Sequence, residues 1–106
     1  MGKNNELSKK IFFEKTYTII YKSQIQLLWL LTRLPIKWDD IFKNYYPETM
    51  RNYPYDKYIY FLKNNGLIEL IPPDAPYPYV SITPLGKEFL EYLKTSNYTG
   101  EEKNNL

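Results

Sequence analysis

A chain of 106 residues, 43% hydrophobic and 25% charged, suits one soluble globular domain with a modest core. It holds no cysteine and no histidine, which removes disulfides, cysteine–zinc and histidine–metal sites, Ser-His-Asp triads and Cys-His dyads. The net charge of +2 is uneven: residues 1–32 carry +3, residues 33–63 carry +2 and residues 64–106 carry −3, so the first two thirds suit a polyanion and the last third does not.

Along the chain, residues 1–7 are polar and are expected to be flexible. Ser8 suits the cap of a helix running through Lys9 and Lys10. Phe13, Tyr17, Ile20, Leu27 and Leu31 follow three- and four-residue steps, with Gln24 filling one of them. That spacing predicts one long helix ending near Leu34, before Pro35. Residues 16–21, TYTIIY, are rich in β-branched and aromatic side chains and also fit a strand; helix is the favoured reading, with a break near Lys22–Ser23 as a variant.

Residues 35–38 read as a short connection. Asp39 and Asp40 then open a second helix, where acidic groups offset the positive end of the helix dipole. Ile41, Phe42 and Tyr45 give it an apolar face, and Pro47 stops it. Pro54 sits at the first position of a third helix carrying Tyr55, Tyr58, Ile59 and Leu62 inward, and Gly66 ends it. Strands follow at Leu67–Ile71 and Tyr79–Ile82, joined by PPDAPYP. Thr83 and Pro84 start a last helix with Phe89, Leu90 and Leu93 inside. Residues 95–106 are polar and read as a flexible tail.

The stretches that speak most clearly are Ile59-x-x-Leu62-x-x-x-Gly66-Leu67-Ile68 and Ser81-Ile82-Thr83-Pro84-Leu85-Gly86-Lys87-Glu88-Phe89-Leu90. In this order they resemble a winged helix-turn-helix domain, over roughly residues 23–94. The resemblance implies an α+β fold: a three-helix core, a two-stranded β-wing, a C-terminal helix and an extended N-terminal helix, in a domain over residues 8–94. It implies a third helix in the DNA major groove and a wing against the backbone. Carried over, the groove-facing candidates are Arg51, Asn52, Tyr53, Asp56, Lys57, Tyr60 and Lys63, with Lys43 on the second helix. Arg51 suits a guanine edge or a phosphate; the lysines suit phosphate, which positions without specifying. Each lysine also reads as an ordinary solvated charge.

The wing departs from the family pattern. Between Pro72 and Tyr79 its only charge is Asp74, so it gains nothing from counterion release. Tyr77 and Tyr79 are its contact candidates, by stacking or by packing on protein. The alternative DNA surface is the N-terminal helix with Lys9, Lys10 and Lys15, beside Lys3 and Lys22; the same helix also reads as a dimerisation element.

Twelve tyrosines invite a stacking role, but twelve lysines against two arginines, with plentiful Asn and Ile, point to A/T-rich codon usage. The longest uninterrupted apolar run, Leu27–Leu31, cannot span a bilayer, and no signal peptide is read, so a cytoplasmic protein is expected. The expected function is sequence-specific binding of double-stranded DNA by a homodimer. The role is that of a transcriptional regulator or an origin-binding accessory factor in plasmid transfer or replication. A winged-helix protein-interaction module is the alternative. No enzymatic activity, cofactor or metal is expected.

Overall fold

The computed structural model describes residues 2–44 and 55–103. Among them the order is α1 (Gly2–Ile19), α2 (Lys22–Leu31), β1 (Ile36–Lys37), α3 (Trp38–Asn44), α4 (Tyr55–Asn64), β2 (Ile68–Ile71), β3 (Tyr79–Ile82) and α5 (Pro84–Thr95). This is an α+β architecture, with five helices around one small antiparallel sheet.

The N-terminal third corrects the single long helix. The first helix begins at Gly2, ahead of Ser8, and carries the TYTIIY segment as helix through Ile19. The chain then breaks at Ile20 and Tyr21 and restarts at Lys22, and α2 ends at Leu31 rather than Leu34. The reason is burial. Ile20 and Ile25 are both core residues, at 1% and 2% exposure. Five residues apart, they would lie about 140° apart round an unbroken helix. The extended backbone at Tyr21 turns α2 so that Ile25 and Leu28 face inward together with Leu27 and Leu31. Gln24, which fills an apolar step, is buried for a polar reason. Its Oε1 accepts from the Tyr21 backbone N–H at 2.9 Å, closing the start of α2, and its Nε2 donates to the Tyr58 carbonyl on α4 at 3.1 Å.

The sheet has three strands where the sequence offers two, in the order β1-β3-β2. Residues 36 and 37, read as connection, pair antiparallel with β3: Ile36 with Val80 and Lys37 with Tyr79. The Trp38 backbone N–H extends the contact by donating to the Pro78 carbonyl at 2.9 Å. On the other side, β2 pairs with β3 from Ile68–Ile82 to Ile71–Tyr79. Period-2 alternation sends Ile68, Leu70, Val80 and Ile82 into the core and leaves Glu69, Ile71 and Tyr79 outside.

The remaining boundaries follow local chemistry. Asp39 and Asp40 lie in the first turn of α3. Gly66, at φ +74°, closes α4: its N–H donates to the Lys63 carbonyl, and the Leu67 N–H to the Leu62 carbonyl. That is the bond pair of a Schellman C-cap, which favours glycine at this position. Thr83 caps α5, its Oγ1 accepting from the Gly86 N–H at 3.0 Å and donating to the Gly66 carbonyl. The end of one Schellman turn and the start of the last helix are thus bonded to each other.

After α5 the chain does not leave the fold. Asn97, at φ 58°, closes a second Schellman pair, with N–H groups of Asn97 and Tyr98 donating to the carbonyls of Lys94 and Leu93. Tyr98 then stacks on Tyr17 of α1, with centroids 4.2 Å apart and planes 7° from parallel. Gly100 is buried beside Ile25, and Glu101 pairs with Lys22 at 2.7 Å. Lys103 donates to the Thr18 carbonyl at 3.3 Å, so a cation closes the negative end of α1.

Candidate nucleic-acid interface

Arg51, Asn52 and Tyr53 lie outside the described residues, as do the side chains of Lys43 and Asp56. The candidates that are described on α4 divide by helical phase. Tyr58, Ile59 and Leu62 are buried, and Lys57, Tyr60 and Lys63 are exposed on the opposite side. The Tyr60 ring sits between two neighbours. Its centroid is 6.0 Å from that of Trp38, and the Lys63 Nζ lies 5.6 Å from it.

Trp38 links this helix face to the strands. Its ring touches Tyr60 while its backbone is bonded to Pro78, the last residue of the loop joining β2 to β3. Next to it, Lys37 stands opposite Tyr79 across the β1–β3 pair, with Nζ 5.8 Å from the ring centroid. A cation near a ring face at this range is attracted by the ring quadrupole without losing its charge. Lys37 and Trp38 are not among the sequence candidates. Their signal, one inward and one outward residue before the Asp pair, is too short to read as a strand.

The loop itself is as the sequence suggests in charge. Pro72, Pro73 and Asp74 are exposed, and the Ala75 N–H turns back to the Pro72 carbonyl at 3.2 Å. Tyr77 is 67% exposed and Tyr79 46%, with Ile71 at 47% beside it in register. The outer base of this hairpin is therefore aromatic and aliphatic rather than ionic.

The N-terminal surface is different. Lys9 pairs with Glu88 of α5 at 3.1 Å and Lys22 with Glu101, while Lys10 and Lys15 are exposed. Exposed pairs of this kind add little stability, but each carboxylate offsets the charge that its lysine presents to a polyanion. Tyr92, at the α1–α5 seam, has its phenol pushed above the ordinary value by burial, and further by the Glu14 carboxylate and Tyr98. No group of three or more acidic side chains that could hold a metal ion exists among the described residues, and no helix there is long and apolar enough to cross a membrane.

Compared with known proteins, the chain gives no significant match to any protein-family model, curated protein or solved structure.

Proposed function

We propose that this chain is a winged helix-turn-helix protein that binds double-stranded DNA at specific sites, as a homodimer, with α4 as the recognition helix and the β2–β3 hairpin as the wing. The observation that carries the reading is the surface of α4. It presents Lys57, Tyr60 and Lys63 to solvent, and Trp38 joins it to the hairpin. The element order from α2 to α5, with two antiparallel strands between α4 and α5, fits the same reading. The N-terminal helix remains the alternative DNA surface: Lys9 faces the Glu88 carboxylate, while Lys10 and Lys15 are exposed. The role is that of a regulator or of an origin-binding accessory factor of a mobile element. A protein-docking module is the second reading, favoured by the exposed Ile71, Tyr77 and Tyr79 on a hairpin whose loop carries no base.

The test is retention of fragmented DNA from the protein's own replicon at low and at physiological salt, followed by sequencing. Enriched sites that survive physiological salt are expected, and their location at a promoter or an origin separates the two roles. Uniform retention lost on adding salt would overturn specific binding in favour of the docking module. On an enriched site, Arg51→Ala with Lys57→Ala should weaken binding by at least roughly tenfold. A larger loss from Lys9→Ala with Lys10→Ala would move the interface to α1.

A further inference from the structure

The outer face of the sheet carries a row that crosses all three strands. Register places Tyr79 of β3 between Ile71 of β2 and Lys37 of β1. Cross-strand partners share a face, so one line of side chains runs from a cation through an aromatic ring to an aliphatic group. All three are exposed. Beyond them the joining loop, residues 72–78, has Asp74 as its only charge. A hairpin laid against a polyanion needs a positive group somewhere, and this loop has none.

We propose that Lys37 is the phosphate-contacting residue of the hairpin, supplying from the neighbouring strand the backbone contact that the loop lacks. The inference rests on the DNA-binding reading above. Three features place the ammonium for this task. The first is a fixed stem. Lys37 is in register with Tyr79, and the next residue, Trp38, is bonded to Pro78, so the lysine backbone is tied to the end of the loop where it enters β3. The second is the ring. Tyr79 restrains the Nζ at 5.8 Å from its centroid but leaves the charge whole, unlike the carboxylates that meet Lys9 and Lys22. The third is the setting. The acid on the same sheet face, Glu69, stands on the far strand and one row away, opposite Ser81. Asp39 and Asp40, the acids that follow along the chain, lie in the first turn of α3, where the helix dipole offsets them. Lys37 thereby adds a cation beside Tyr79 to those of α4, and the hairpin meets DNA with the strand residues that flank its loop rather than with its tip.

The experiment uses the full chain and two duplexes of equal length, one recovered from the retention experiment and one unrelated. Affinity is measured across a salt series for the wild type, Lys37→Gln, Lys37→Arg and a control on α5, Lys87→Gln. Each phosphate contact contributes about −0.9 to the slope of log affinity against log salt. Lys37→Gln is expected to flatten that slope by about one contact and to cost about three- to tenfold in affinity at physiological salt. The loss should be equal on both duplexes, because a phosphate contact carries no sequence information. Lys37→Arg should restore the slope, and Lys87→Gln should leave it unchanged. A Lys37→Gln slope equal to the wild type, with wild-type binding intact, overturns the assignment and leaves the DNA reading standing. A wild type that retains neither duplex overturns both. A slope change confined to the recovered duplex assigns Lys37 to a base rather than a phosphate and also overturns it.

Discussion

Gly86→Ala is the substitution on which the packing of the hairpin against α5 can be judged. A methyl group at Gly86 would stand 2.2 Å from the Leu67 carbonyl oxygen and 2.7 Å from Ile82 Cγ1. The isoleucine can rotate away, but the oxygen is backbone and is held in place, accepting from the Thr83 N–H at 3.1 Å. Relief therefore requires the first turn of α5 to withdraw by about 1 Å, since non-bonded atoms of this kind settle above 3 Å. That movement works against three hydrogen bonds: Thr83 N–H to Leu67, the Gly86 N–H to Thr83 Oγ1, and Thr83 Oγ1 to Gly66. Overpacking costs about 1–3 kcal/mol, and weakened hydrogen bonds about 1 kcal/mol each. Alanine's better helix propensity returns about 1 kcal/mol. The expected net loss is about 3–5 kcal/mol, a large part of the roughly 5–15 kcal/mol that holds a domain together. Guanidinium denaturation followed by circular dichroism measures it, with Lys87→Ala on the same turn as the neutral control. A Gly86→Ala midpoint equivalent to less than about 1 kcal/mol, with an unchanged denaturant slope, would refute the close approach of α5 to Leu67.

Three further outcomes test other parts of the fold. Gln24→Leu keeps the volume but strands the Tyr21 N–H and removes the bond that ties α2 to the Tyr58 carbonyl, and should cost about 1–3 kcal/mol in the same denaturation assay. Tyr98→Ala removes the stack on Tyr17 and should cost about 1–2 kcal/mol, whereas Tyr98→Phe keeps the ring and should retain most of it. The raised Tyr92 phenol gives a pH dependence. The folded chain holds that proton more tightly than the unfolded chain, so this contribution is complete below the ordinary tyrosine value of about 10 and is lost as pH rises from there through the raised folded value. Denaturation midpoints from about pH 9 to 11 should fall less steeply in Tyr92→Phe than in the wild type; parallel declines would refute the shift.

What was legible in the sequence was what residues decide locally. Gly66, Thr83 with Pro84, and Asp39 with Asp40 each act within one turn, and each boundary lies beside them. The outward phase of Lys57, Tyr60 and Lys63 follows from the apolar spacing of α4 alone. What was not legible depends on distant partners. The sequence leaves a break near Lys22–Ser23 open, but its place at Ile20–Tyr21 follows from the burial of Ile25, against which Gly100 from the far end of the chain also packs. A two-residue strand has no signature without β3, so Lys37 and Trp38 stay hidden among connecting residues. The polar composition after Thr95 hides two anchors, Tyr98 and Gly100.

Charge shows the same division, and with a consequence for the interface. Read linearly, the basic first third is the strongest attraction for a polyanion. In space the acidic last third folds against it, so Glu88 meets Lys9 and Glu101 meets Lys22. The central third does not receive this treatment. Among the described residues no carboxylate pairs with Lys37, Lys57 or Lys63, and two of the three rest near tyrosine rings instead. On α1, Lys10 and Lys15 stay exposed, so folding thins the basic face of the N-terminal third without removing it and leaves a second group of cations beside Trp38 and Tyr60. An aromatic ring holds a lysine without neutralising it, whereas an ion pair offsets its charge.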